Sequence, residues 1–309
     1  MAEPDPSAPA LFDIGDLEPA PPTAPTPLVT PVFMDLEDPR YAYMFGFLQA
    51  DGHLAPGTGR KGRLTVKIGV RDIAILREFQ QLTPYNSSIT ERVRSTNFAE
   101  QHHSATWTLC DLEARTRING LGLPYGRKSK RITPPRVEFS RRDYLRGIID
   151  ADGSIGHTGQ GLPFVSLTTA SAAVGAYLCR YAKVVTGAAR QIGRNARDGV
   201  YNVVYTKEAA VQLAEHLYYP GCLSLARKRT AATSLASWER PATMRVRPPG
   251  RRWKPWEDRV LLSLDDDTAS AAELGRSKAS CSVRIWRLKT GRSRAPRTFH
   301  PARRRSEHR

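Results

Sequence analysis

"LRGIIDADG" occupies residues 145–153, and "MFGFLQADG" occupies residues 44–52. Each phrase sets two small residues four apart, Gly46 with Ala50 and Gly147 with Ala151, and then closes on Asp-Gly. In a helix, residues four apart share a face, and small ones let two helices cross backbone to backbone. Such a crossing brings the two helix ends together, with Asp51 and Asp152 projecting into one site. A single Asp-Gly would merely end a helix; two in register imply two similar halves with a shared centre. A second landmark agrees: 77 residues separate Asp51 from Lys128, and 76 separate Asp152 from Lys228. "DADGSI" also looks like the start of a calcium loop, but that loop needs Gly at its sixth and Glu at its twelfth position. Counted from Asp150, those positions hold Ile155 and Gly161.

Outward from the two phrases, the periodicities repeat. Asp38 as cap and Pro39 in the first turn start a helix that Gly52 ends. "GRLTVKIGVRD" then alternates strictly, with Leu64, Val66, Ile68 and Val70 on one face and Arg63, Thr65, Lys67 and Arg71 on the other. This is a half-buried strand whose open face is basic. A helix follows ("IAILREFQQL"), then two strands ("SSITERVRS", "SATWTLC") and a helix ("DLEARTRINGLG"). In the second half, "SRRDYLRGIIDADG" is a helix with Ser140 as candidate cap, "PFVSLTTA" a strand and "SAAVGAYLCRYAKVVTG" a helix. "AARQIGR" and "VYNVVYT" read as a hairpin, and "KEAAVQLAEHLYY" as a helix. Each half therefore reads α-β-β-α-β-β-α. The fold class is α+β, with two antiparallel sheets.

Charge points to the partner. The chain of 309 residues carries net +17, but residues 1–40 hold eight acids and one base. Both 41–239 and 240–309 are strongly basic. That excess suits a polyanion. The four cysteines, at 110, 179, 222 and 281, have no metal-site or redox spacing. No run reaches the roughly 18 apolar residues of a membrane span, and the N-terminus lacks a secretory pattern. The expected location is cytoplasmic, nucleoid-associated and not secreted.

Residues 1–37, rich in Pro, Ala and acids, read as disordered. The repeats span 38–139 and 140–239, followed by a linker at 240–250. Residues 251–291 read as three short helices near 254–264, 268–274 and 278–289. Their core would be Trp253, Leu261, Leu262, Leu264, Leu274, Val283 and Trp286. Residues 292–309 read as a basic mobile tail.

The two phrases resemble the LAGLIDADG motif of homing endonucleases. The second copy, Leu145 to Gly153, is very close; the first, Met44 to Gly52, departs at its start and has Gln49 where an acid is usual. The resemblance covers roughly 38–237. It implies a duplicated αββαββα fold with two β-sheet saddles over double-stranded DNA, and a monomer on a long pseudo-palindromic site. It also implies a staggered double-strand break by Mg²⁺- or Mn²⁺-dependent hydrolysis. Asp51 and Asp152 would be the catalytic metal ligands; the penultimate acid is the essential one, and both copies keep it. Lys128 and Lys228 would assist by positioning water or neutralising the phosphorane. Two carboxylates at helix C-termini repel each other and the helix dipoles, which a hard cation relieves.

Candidate DNA contacts are Arg63, Thr65, Lys67, Arg71, Arg92 and Arg94, with Ser88 and Thr90 beside them, and Arg190 and Arg194 in the second half. The C-terminal segment resembles a Myb/SANT-like helix-turn-helix, on Trp253, Glu257, Asp258 and "VRIWRLK" at 283–289. Arg284, Arg287 and Lys289 would then sit on a recognition helix. The competing class is a non-cleaving LAGLIDADG-like binder, either an RNA maturase or a DNA-binding regulator.

Overall fold

The computed structural model describes residues 32–96, 99–195, 197–244 and 251–293. The chain divides into two units, Met1–Arg240 and Pro241–Arg309. In the first unit, the first half runs α1 (Pro39–Asp51), β1 (His53–Ala55), β2 (Arg63–Gly69), α2 (Ile73–Leu82), β3 (Ser87–Thr96), β4 (Ala99–Leu109) and α3 (Leu112–Gly120). The second half runs α4 (Arg141–Asp152), β5 (Gly153–His157), β6 (Pro163–Thr169), α5 (Ala172–Thr186), β7 (Gly193–Arg194), β8 (Tyr201–Thr206) and α6 (Glu208–Leu217). An additional helix, α7 (Ala226–Leu235), follows. The antiparallel sheets have the same order, β1-β2-β4-β3 and β5-β6-β8-β7. This is the duplicated αββαββα architecture, of α+β class, that the two phrases predict.

Local chemistry accounts for the boundaries. Asp38 caps α1 by accepting from the Arg40 amide at 2.8 Å, and Ser171 caps α5 by accepting from Val174 at 3.1 Å. Gly187 closes α5 in the left-handed conformation at φ 69°. α1 is buried without a break from Tyr41 to Gln49, and α4 from Asp143 to Asp150. A helix buried all round belongs at the centre of a fold; these two form the axis between the halves. Leu54, Leu64, Val66, Trp107 and Leu109 cover the inner face of the first sheet, and Val165, Leu167, Val203 and Tyr205 that of the second. No helix among the described residues is long and apolar enough to cross a membrane.

Three expectations need correction in this unit. Packing starts before residue 38: Phe33, Met34 and Leu36 are buried, with Phe33 edge-on to Tyr41 and Tyr85. Residues 1–31 lie outside the described residues. "AARQIGR" forms only the two-residue strand Gly193–Arg194, because the rest of the segment finds no ladder partner on β8. The helix α7 was absent from the sequence reading; its Lys228, Ala232 and Leu235 are buried.

The second unit holds α8 (Pro255–Leu264), α9 (Asp267–Leu274) and α10 (Lys278–Lys289), as expected within a residue or so. Its core is Leu261, Leu274, Cys281, Ile285 and Leu288, with Trp253 partly buried against it. Leu262, Leu264, Val283 and Trp286 are exposed instead. Short helices bury one stripe each, and on α10 Cys281, Ile285 and Leu288 form it at helical spacing, leaving Val283 and Trp286 off the seam. Glu257 is fully buried, bonded to Arg276 at 2.9 Å and Arg251 at 2.8 Å and to the Lys254 amide.

Candidate active site and nucleic-acid interface

The site is built from the crossing of α1 and α4. A Cβ added at Gly46 would lie 2.2 Å from the Tyr144 carbonyl oxygen, and one at Gly147 would lie 2.1 Å from that of Tyr43. No side chain fits at either position. Ala50 and Ala151 lie one turn further on, partly buried against the core.

Beyond the crossing, each helix bonds to the other through a tyrosine one position before its phrase. Tyr43 donates to Asp150 Oδ2 at 2.7 Å, and Tyr144 donates to Gln49 Oε1 at 2.7 Å. The two acceptors differ for a local reason. Gln49 Nε2 donates to the carbonyls of Gly122 and Thr133 at 3.0 and 3.1 Å, which a carboxylate cannot do. Asp150 instead accepts two further donors, Tyr218 Oη at 2.5 Å and the Leu225 amide at 2.7 Å. The departure at Gln49 thus matches its surroundings. Sequence reading had passed over Tyr43, Tyr144 and Tyr218; their only signal was the equal placement of Tyr43 and Tyr144 before the two phrases.

Asp51 and Asp152 occupy the ends of the paired helices, and both side chains reach solvent. The protein around Asp152 pushes its carboxyl up to about 6, and the charge of Asp51 adds to the effect. Desolvation also raises Asp51, while Lys128 and Lys228 oppose the rise at both carboxyls. The four groups therefore form one electrostatic cluster. Among the described residues, no group of three or more His, Cys, Asp or Glu side chains forms a metal site. The donor set is two carboxylates, suited to a hard cation that keeps waters and takes phosphate oxygens.

The lysines take an unforeseen position. Lys228 is buried, and its three N–H groups go to the carbonyls of Ile149, Asp150 and Gly153 at 2.5, 2.6 and 2.8 Å. Burial pulls its ammonium down to about 8. Lys128 donates to the Gln49 carbonyl at 2.6 Å and to that of Ala50. Each lysine thus closes the C-terminus of the helix carrying a phrase carboxylate, at the negative end of its dipole.

The outer face of the first sheet carries the expected cations. Arg63, Lys67 and Arg92 are exposed, Thr65 is half-buried, and Ser88 and Thr90 are exposed beside them. Lys67 and Thr90 both pair with Thr106, and Thr65 and Ser88 both pair with Thr108, so these rows run across one face. Arg71 lies past the strand in the 3-10 turn Val70–Asp72, exposed. Arg94 is in β3, but its side chain is outside the described residues.

The second sheet differs. Its outer rows, Ser154–Ser166–Val204 and Thr168–Asn202–Gly193, carry no charge. Arg194 pairs with Tyr201, whose alternation puts it with the inward residues, and Arg194 folds onto the Gly199 carbonyl at 3.2 Å. Arg190 is exposed in the preceding loop. In the C-terminal unit, Arg284 is spent on a two-pronged ion pair with Asp258 at 2.6 and 2.7 Å, and Lys289 pairs with Asp265. Arg287 is exposed. Of the three cations expected on α10, only Arg287 is unpaired among the described residues.

No protein-family model matches this sequence, and no curated protein matches it. Among solved structures, the chain is similar to the meganuclease I-SmaMI bound to uncleavable DNA, at 11% identity and a TM-score of 0.43 over 63% of this chain and 87% of that one. The homing endonuclease I-WcaI bound to its DNA recognition sequence is similar at 12% identity and 0.43, over 63% and 87%. Mesophilic variants of the homing endonuclease I-DmoI are similar at 13% identity and 0.42, over 63% and 97%.

Proposed function

We propose that the chain is a site-specific DNA endonuclease. It acts as a monomer on a long, pseudo-palindromic duplex and makes a staggered double-strand break, one strand for each half. The observation that carries this reading is the pair Asp51 and Asp152, delivered by two similar halves to the ends of one helix crossing. Burial raises both carboxyls, and the charge of Asp51 adds to the rise at Asp152; such a pair stands ready for a divalent cation. Asp51 and Asp152 would hold Mg²⁺ or Mn²⁺, which supplies charge to a phosphodiester and lowers the pKa of water.

The chain's own residues do the rest. The Gly46–Gly147 crossing fixes the separation of the carboxylates. Lys128 and Lys228 hold the helix ends and place two positive charges beside them, which favours a phosphate over solvent. Arg63, Lys67 and Arg92 hold the DNA backbone against the first sheet, while the uncharged Ser166, Thr168 and Asn202 offer the second half hydrogen bonds to DNA rather than charge. In the C-terminal unit, Arg252, Lys254, Arg259 and Arg287 add backbone contacts and so raise affinity by tethering.

The non-cleaving binder is the second reading, favoured by one observation: Lys228 has no donor left for water or phosphate. Selection of cleaved sites from a random duplex library with Mg²⁺ separates the two. Recovery of one long site cut on both strands supports the enzyme. Recovery of bound but intact duplex under all divalent cations supports the binder.

A further inference from the structure

A cleft of about 560 Å³ opens on the Asp51 carboxylate. It is lined by Lys67, Arg71, His103 and Arg227, which come from β2, the turn after it, β4 and α7. Asp152 is not among the lining residues. Arg227 belongs to the second half, yet Asp72 of the first half holds it, with Nε 3.0 and 3.2 Å from the two carboxylate oxygens. The Asp72 side chain is 8% exposed, while that of Arg227 is 43% exposed. The contact uses Nε alone. The terminal amino groups of Arg227 have no hydrogen-bond partner among the described residues, so a fork of donors remains for an anion. Arg227 also lies in the first turn of α7, where the helix dipole favours negative charge.

The pseudo-symmetric position is built differently. In the second half Thr168 stands where Lys67 does, in the matching row of its sheet. The 3-10 turn that supplies Arg71 has no equivalent between β6 and α5. Gly199 stands in place of His103. Arg127 precedes Lys128 as Arg227 precedes Lys228, but the cap facing that loop is Ser171, which donates to the Ile132 carbonyl at 2.7 Å and carries no carboxylate. One side of the helix crossing thus has an arginine held by a carboxylate, with Lys67 and Arg71 beside it in a cleft that Asp51 and Asp150 also line; on the other, Arg127 has no such carboxylate, and Thr168 and Gly199 are neutral.

We propose that this cleft is a subsite for a single DNA-backbone phosphate, that Arg227 is its binding group, and that Asp72 is the residue positioning Arg227. The consequence is inequality between the two strands. The strand whose phosphate sits on the Asp51 side is bound and cut first, and a nicked duplex accumulates. The strand-order part rests on the endonuclease reading above; the phosphate-binding part does not.

The test uses the full-length chain and a duplex recovered by selection for binding. Each strand is end-labelled in turn, and single-turnover cutting is followed with Mg²⁺. The parent should cut one strand at least about tenfold faster, the scale of one charge-assisted hydrogen bond. Arg227→Ala should slow that strand to the rate of the other and leave the slower strand unchanged. Asp72→Asn should reduce the bias although Arg227 keeps its charge, and Arg227→Lys should retain part of the bias that Arg227→Ala loses. In binding, Arg227→Ala should lower the slope of log K against log salt by about 0.9, one phosphate's share. Replacing one particular phosphate by a neutral methylphosphonate should weaken the parent and leave Arg227→Ala unaffected. Equal slowing of both strands, or an unchanged salt slope, would overturn the proposal. If the parent cuts neither strand, the endonuclease reading fails, and the salt slope and methylphosphonate duplexes alone decide the phosphate subsite.

Discussion

Gly147→Ala is the perturbation whose sign depends most on the helix crossing. In an ordinary helix interior, replacing Gly by Ala stabilises by about 1 kcal/mol. At Gly147 the new Cβ would lie 2.1 Å from the Tyr43 carbonyl oxygen and 2.9 Å from the Phe47 amide nitrogen, both backbone atoms that no rotamer change can move. Reaching an ordinary contact requires the helices to part by roughly 1.3 Å, and overpacking of this kind costs about 1–3 kcal/mol. Because the obstacle is backbone, the upper end applies; less the propensity gain, the net loss is about 2 kcal/mol. For a body of this size that corresponds to a melting point lower by about 4–8 °C. Gly120→Ala is the control, since it lies at the end of α3 with nothing within 4 Å of its Cβ; it should melt at or above the parent temperature. A parting of this size also misplaces Asp51 against Asp152, and a 1 Å error can cost about 100-fold in rate. Thermal melts of the three proteins, with cutting rates on the same samples, make the comparison. A Gly147→Ala protein as stable as Gly120→Ala would refute the crossing as described.

The carboxylate pair sets a pH dependence. Asp152 is held up to about 6 from an ordinary 3.8, so the folded state binds its proton more tightly, and stability is lost as pH rises between those values. Asp152→Asn should melt above the parent at pH 8 and level with it at pH 4, and Mg²⁺ should raise the parent at pH 8 and not the variant; an equal gap at both pH values would contradict the coupling. Gln49→Glu places a charge against the Gly122 and Thr133 carbonyls and should cost about 2–4 kcal/mol in urea unfolding at pH 8, with neutral behaviour sinking the account of that departure. In the C-terminal unit, Glu257 is held down to about 2 by its bonds to Arg276. The stability it lends is full above about pH 4.5 and fades as pH falls toward 2, which the tryptophan fluorescence of a 251–293 fragment should follow; a Glu257→Gln fragment should already be loosened at pH 7.

The order of elements was legible because it rested on local signals: Asp38 as a cap, Gly52 as a stop, and alternation at Leu64, Val66 and Ile68; Ser140, the other candidate cap, stands at the N-cap of α4 without a side-chain cap bond. The two carboxylates were legible because the phrase repeats. Other features depended on partners far along the chain. Nothing near Lys228 shows that its three donors are used by carbonyls more than seventy residues earlier, and nothing near Arg284 shows that Asp258 claims it. Basic residues look alike in sequence whether they face a phosphate or a buried acid. Arg190 and Arg194 were assigned to a strand face by composition, but the strand is two residues long, Arg190 lies before it, and the exposed Arg194 folds back on the Gly199 carbonyl. Trp286 and Val283 were read as core because they are apolar, although a short helix seats only one stripe.

The central claim is that Asp51 and Asp152 together make one centre that cuts both strands. It is tested most directly by strand-resolved cutting of a selected duplex with Mg²⁺, comparing the parent, Asp51→Asn, Asp152→Asn and the double variant, with binding measured on each. The account predicts double-strand breaks from the parent only, no more than a nick from either single variant, no cutting by the double variant, and retained binding throughout. Linear product from the double variant at the parent's rate would contradict it.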